Sequence, residues 1–221
     1  MTTQRKSTYT IAVFLKFGRE QDIADLFNNG TIYINSIQYF RNIEDGKLRG
    51  DQYEGVSDII NSLPGQFEVL GKTIPYERLH LPKAFETVYG NIYSLYCVSS
   101  YGFPSPEDVI IDTRVRNFGS HLIIINQPGE FLKRIQRSLD LAGLKYHHGF
   151  VDYYDRFAIN RKVTLFEKPK EYEYQKEFRI YVKRDQITPL VIKIGSLKDI
   201  ATVHPSSVVT ELTFRNAVPV E

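Results

Sequence analysis

The sequence predicts an α+β fold with mixed or antiparallel sheets and flanking helices. Three observations predict it. Segments with strand character outnumber helical ones, the helical segments are scattered rather than alternating with strands, and no shift in composition marks a second domain. The 221 residues suffice for one substantial core and are short for two, so residues 1–221 read as a single domain.

The elements follow in chain order. YTIAVFLKF, residues 9–17, is rich in β-formers and reads as a buried strand ended by Gly18. REQDIADLFNNG reads as a short helix with Ile23, Leu26 and Phe27 on one face and Asn29-Gly30 as its stop. TIYINS is a second strand, and turn chemistry follows at Asp45-Gly46 and Gly50-Asp51. Residues 56–90 read as short strands or an irregular insertion, broken at Pro64-Gly65 and Gly71. NIYSLYCVSSY and HLIIIN are strands separated by a loop with a short helical turn. Residues 128–142 form the clearest helix, with Phe131, Leu132, Ile135, Leu139 and Ala142 as its apolar stripe, Pro128 at its start and Gly143 at its stop. HGFVDYYD, VTLFEK, KEFRIYVKR and PLVIKIG read as strands, SLKDIATVHP as a turn, and VVTELTF as a closing strand.

Composition narrows the function classes. A net charge of +2 neither demands nor excludes a nucleic-acid partner. Cys97 is the one cysteine, which removes an intrachain disulfide and a cysteine-based metal cluster; in its apolar strand it reads as a small buried hydrophobe. His147 and His148 would point to opposite faces of a strand, and no histidine pair has metal-ligand spacing, so no metal is expected. The N-terminus lacks the apolar run of a signal peptide, and no apolar run approaches the roughly 20 residues that cross a bilayer. A cytoplasmic protein without a membrane partner is the expectation. No phosphate loop, dinucleotide fingerprint or nucleophile elbow is present.

The candidate chemistry lies in YEYQKEFRIYV, residues 172–182. With period two, Tyr174, Phe178, Ile180 and Val182 share one face with Lys176, and Gln175, Glu177, Arg179 and Tyr181 share the other. A carboxylate there can bind a sugar diol or stabilise an oxocarbenium-like ribose as a glycosidic bond breaks. A solvated strand face with a Glu–Arg neighbour pair accounts for the same residues. Tyr39 and Phe40 either stack on an aromatic ring or anchor a loop to the core. Ser36 lies beside them, and Arg41 is placed to meet a pyrophosphate. Asp51 and Glu54 either bind ribose hydroxyls or a substrate base, or form salt bridges with Arg41 and Arg49. Lys168, Lys170, Lys176, Arg179, Lys183 and Arg184 cluster around this strand, as a phosphate-contacting rim or as a solvated face, and Arg114 and Arg116 lie in a loop.

Gln175-x-Glu177 on a late strand resembles the catalytic signature of ADP-ribosyltransferases. GTIYINSIQYFRNIEDGKLRGDQYEG, YSLYCVSSY, FGSHLIIINQPGEFLKRI and FEKPKEYEYQKEFRI, in that order, resemble a prokaryotic toxin family with that fold, including CmdT-type phage-defence enzymes that modify messenger RNA. The resemblance extends to about residue 182. It implies an ADP-ribosyltransferase-like split β-sandwich, a bacterial or viral source, NAD as co-substrate, an RNA acceptor and an antitoxin partner. It implies Glu177 as the catalytic glutamate with Gln175 as its upstream partner, and Ser99 or Ser100 as the serine that supports the glutamate and lines the nicotinamide pocket. The Arg or His that grips the dinucleotide from the first strand in many such enzymes is missing, and Lys16 stands alone there. An NAD glycohydrolase and a non-catalytic nucleotide- or partner-binding module are the rival functions.

Overall fold

The computed structural model describes residues 9–43, 53–103, 105 and 109–214. Its described elements begin with β1 (Ile11–Gly18), α1 (Glu20–Asn29), β2 (Thr31–Ser36) and α2 (Ile37–Asn42). Next come β3 (Val56–Ser62), β4 (Gly65–Val69), β5 (Lys72–Tyr76), β6 (Leu79–Ala84) and β7 (Asn91–Ser99). β8 (His121–Ile125), α3 (Pro128–Leu141), β9 (Tyr146–Phe150), β10 (Asp152–Tyr154), β11 (Arg161–Lys162) and β12 (Glu167–Pro169) follow. β13 (Glu177–Val182), β14 (Leu190–Lys193) and β15 (Ala201–Pro205) close the strand list, with 3₁₀ turns over Thr113–Phe118, Lys170–Gln175 and Ser206–Thr210. The fold class is α+β.

β7 organises the main sheet. Its Tyr96 pairs with Leu15 of β1 on one edge and with Glu177 of β13 on the other. Its Ile92 pairs with Asn35 of β2 and, across the opposite edge, with Tyr181 of β13. β1 and β2 therefore share one edge of β7 and diverge there. β1 leads on to β8 and β15, and β2 leads to β14. β9 extends the other side through β13. All these pairings are antiparallel; β10 and β12 form a small parallel pair.

Two cores cover the two faces of this sheet. Phe14, Leu95, Cys97, Phe178, Ile180 and Val182 pack under α1 and α3, through Ile23 and Leu26 and through Phe131, Ile135 and Leu139. This contact is the α3 stripe read from the sequence, with Leu132 partly buried beside it, except for Ala142, which caps the helix and is exposed. Leu15, Phe17, Tyr96 and Val98 form the other core, closed by Val115 and Val209 from two of the 3₁₀ turns. Gly30 caps α1 in the left-handed region at φ 64°, where a Cβ would lie 1.9 Å from the Gly195 carbonyl oxygen.

Five sequence expectations change. HGFVDYYD, read as one strand, breaks at Val151 into β9 and β10, which join different sheets. The alternation read over residues 172–182 holds only from Glu177, because residues 170–175 turn as a 3₁₀ helix and Lys176 takes a left-handed backbone at φ 38°. Ala201–Pro205, read as a turn, is a strand on the β8 edge. VVTELTF, read as a strand, begins inside the Ser206–Thr210 turn, where Val209 faces inward to close the second core. VTLFEK is not one strand, since only its Glu167–Lys168 end enters a ladder. No described helix is long and apolar enough to cross a membrane.

Candidate functional site

Strand alternation in β13 sends Phe178, Ile180 and Val182 into the helix-covered core. Glu177 and Arg179 go to the opposite face, across from Tyr96 and Ser94. That face is not solvated: Glu177 is 4% exposed and Arg179 is fully buried.

Arg179 bridges two carboxylates. Its Nη1 and Nη2 donate to Glu54 Oε1 and Oε2 at 2.8 and 3.0 Å, and its Nε donates to Glu177 Oε1 at 2.7 Å. It also donates to the Leu165 carbonyl. The fork geometry suits arginine and would not suit lysine. Lys168 Nζ meets Glu177 Oε2 at 2.8 Å and donates to Gln175 Oε1 at 2.9 Å. Ser94 Oγ donates to Glu177 Oε1 at 2.5 Å. The Glu177 backbone N–H donates to the Tyr153 hydroxyl at 2.9 Å. Two carboxylates and two cations thus form a charge-balanced buried cluster. Burial alone would raise the Glu177 carboxyl, but the Arg179 and Lys168 charges and hydrogen bonds overcome it and hold the group well below the usual carboxylate range.

Glu177 also lines a cleft of about 740 Å³. Tyr101, Phe150, Tyr153 and Tyr154 supply aromatic walls, and Arg161, Lys170 and Lys176 supply cations. Cys97 and Ser99 lie at its β7 end. Burial pushes the Cys97 thiol up to about 12, which leaves it inert as a nucleophile.

The structure redistributes the roles read from the sequence. Gln175 is buried at the end of a 3₁₀ turn and reaches Glu177 only through Lys168, so it does not stand beside Glu177 on a strand face. The hydroxyl on Glu177 is that of Ser94, not of Ser99 or Ser100. Ser99 is buried at the β7 end of the cleft, and the Ser100 hydroxyl accepts from the Thr10 N–H. Lys16, between Leu15 and Phe17, projects to the opposite face of β1 from those two. Its Nζ donates to the Ser94 carbonyl at 2.8 Å and sits 4.2 Å from the Tyr93 ring centre.

The second-strand group lies at the far end of β7. Ser36 pairs with Asn91, whereas Glu177 pairs with Tyr96. Ser36 is the N-cap of α2, accepting from the Tyr39 N–H at 3.1 Å. Phe40 packs on Ile37, Val88 and Ile92; Tyr39 is exposed, and Arg41 donates to the Phe85 carbonyl at 2.5 Å. None of these four lines the cleft. Glu54 is buried on Arg179 rather than open to a substrate. Asp51 lies outside the described residues. Lys168 and Arg179, read as part of a surface rim, are instead the buried counter-charges of Glu177.

Ser94 was missed, and Lys168 was named only as part of a surface rim, not as a partner of Glu177. Ser94 had a signal, as the polar residue of an otherwise apolar strand face that faces the Glu177–Arg179 strand. Lys168 had none, because only the turn at residues 170–176 brings it back to Glu177. No group of three or more His, Cys, Asp or Glu side chains able to hold a metal occurs among the described residues. No protein-family model, curated protein or solved structure matches the chain.

Proposed function

We propose that the protein is an NAD-dependent mono-ADP-ribosyltransferase, with RNA as the acceptor and a phage-defence toxin, restrained by an antitoxin, as its setting. The observation that carries the chemistry is Glu177: it lines the cleft, and its carboxylate is fixed in place and kept ionised by Ser94, Arg179 and Lys168. A carboxylate has about four acceptor sites, and these three donors leave one for a ribose hydroxyl. A fixed anion beside the ribose stabilises positive charge that develops at C1′ as the bond to nicotinamide breaks. The aromatic walls suit the nicotinamide or adenine ring. Arg161 and Lys176 hold only partly exposed pairs with Glu167 and Glu173, which a pyrophosphate can replace. The divergence of β1 and β2 from one edge of β7 fits the split β-sandwich that the resemblance implies. RNA and the antitoxin rest on the resemblance.

A second reading is favoured by the cluster itself. A buried, charge-balanced quartet also occurs as a purely structural device, in a module that binds a nucleotide or partner without turnover.

One experiment separates these readings. Wild type and Glu177→Gln are incubated with NAD labelled in its adenylate phosphate and with cellular RNA, DNA and protein fractions. Label transfer and free nicotinamide are both followed. The proposal expects transfer to RNA, reduced at least about 10²-fold in Glu177→Gln. Nicotinamide release without transfer makes the protein a glycohydrolase. No release by folded wild type favours the binding module. Ser94→Ala, which removes a donor without stranding a charge, serves as the second variant if Glu177→Gln fails to fold.

A further inference from the structure

The proposed reaction also has to place a proton. As the C1′–N bond of NAD breaks, its electron pair leaves with nicotinamide, which departs neutral. The acceptor's oxygen or nitrogen then forms the new bond to C1′, and the proton it carried passes to a base. Glu177 is a poor base, since three donors already occupy it and its carboxyl lies well below the usual range.

Four other carboxylates line the cleft. Glu167 pairs with Arg161 at 2.7 Å, and Glu173 pairs with Lys176 at 3.2 Å. Asp155 Oδ1 accepts the Phe157 N–H at 2.9 Å. Asp152 is the remaining one: among the described residues its carboxylate has no ion-pair or hydrogen-bond partner, and the residue is solvent-exposed. Its backbone is firmly held. The preceding residue, Val151, donates its N–H to the Glu177 carbonyl at 3.0 Å, and the Asp152 N–H donates to the Phe166 carbonyl at 2.9 Å. Asp152 is therefore delivered to the cleft from a fixed strand, one residue beyond the backbone contact with Glu177.

Resting on the reading above, we propose that Asp152 is the general base that takes the proton from the acceptor atom as its bond to C1′ forms. The surrounding charges support this. Partial burial and the Glu167 carboxylate, opposite Asp152 in the β10–β12 pair, raise the Asp152 carboxyl, with Arg161 opposing. Lys170, Glu173 and Lys176 from the 3₁₀ turn and its end complete the charged groups around it. Glu167 itself, although burial raises it, is lowered overall by the Arg161 and Thr164 hydrogen bonds. Two carboxylates pushed apart in this way divide into a fixed charge and a working base.

The test follows label transfer and nicotinamide release across pH for wild type, Asp152→Ala and Glu167→Gln, with NAD and total cellular RNA. The proposal expects Asp152→Ala to lose about 10²–10⁴-fold in transfer and to regain part of it with added formate. It also expects Glu167→Gln to move the acid limb of the transfer profile to lower pH, since the neighbouring negative charge that raises Asp152 is gone. Wild-type transfer in Asp152→Ala, or a loss that formate does not restore in a folded variant, overturns Asp152 as the base while the transferase stands. If folded wild type releases no nicotinamide, the functional reading itself fails and the base falls with it. Asp152→Asn is the replacement variant if alanine disturbs the fold, read through the same pH profile.

Discussion

Arg179 shows why a strand face that looks polar in sequence is closed in the fold. Its guanidinium is buried between Glu54 and Glu177, and its charge is tolerable only because both carboxylates are present. Arg179→Met strands two buried anions, and a loss of about 3–5 kcal/mol is expected from the shift of a urea unfolding curve. Converting Glu54 to Leu in the same chain recovers part of that loss, so the two changes fall short of additive. The Glu177 carboxyl gives a pH test. Its folded value lies below the roughly 4.3 of an unfolded glutamate, so its contribution is complete above that value and is lost as pH falls through the folded one. Between about pH 4 and 2, Glu177→Gln is expected to flatten the pH dependence of stability by up to about 1.4 kcal/mol per pH unit. Asp152 has the opposite sign: its raised carboxyl makes the ionised form unfavourable in the folded state. Asp152→Asn is therefore expected to raise Tm at pH 7 and to leave it unchanged at pH 3.

The elements that were legible in sequence are those whose signal is local. β2, α1 and α3 carry their own alternation, stripe or stop signals, and they form where those signals lie. Phe178, Ile180 and Val182 likewise announced the core face of β13. That residues 172–175 turn away from the strand was not legible, because it depends on Lys176 adopting a left-handed backbone that glycine or asparagine would normally signal. The site was legible only in part for a related reason. Glu177 and Arg179 could be picked out by alternation, but Glu54 reaches Arg179 from far along the chain and Lys168 folds back through the turn at residues 170–176. The αL position offers its own test. Lys176→Gly relieves the backbone and gives up a partly exposed pair with Glu173 and a cation–π contact 5.7 Å from the Phe103 ring centre, so a gain of less than about 1 kcal/mol is expected in the urea midpoint.

At the scale of the whole molecule, the described chain divides into a packed body and a projecting ribbon. β3 and β6 pair with Ser62 opposite Leu79, and β4 and β5 continue in the same register with Gly65 opposite Tyr76. At the root, Ile59 is buried with Val56 and Tyr154. Beyond Ser62 no described residue covers the strands: Phe67, Val69 and Ile74 are each more than 40% exposed, and Leu70 is 98% exposed. A two-stranded ribbon with open edges is marginal in water, so its stability comes from the root and it opens locally before the body does. Limited proteolysis is expected to cut first within residues 65–76. Because Gly65 and Tyr76 are opposed, replacing residues 66–75 by Asn-Gly closes the ribbon with a two-residue turn. That deletion is expected to leave the urea midpoint within about 0.5 kcal/mol of wild type, whereas Ile59→Ala at the root loses about 2–4 kcal/mol. If the deletion costs as much as the root substitution, the ribbon belongs to the cooperative core and the division of the molecule drawn from its exposure is wrong.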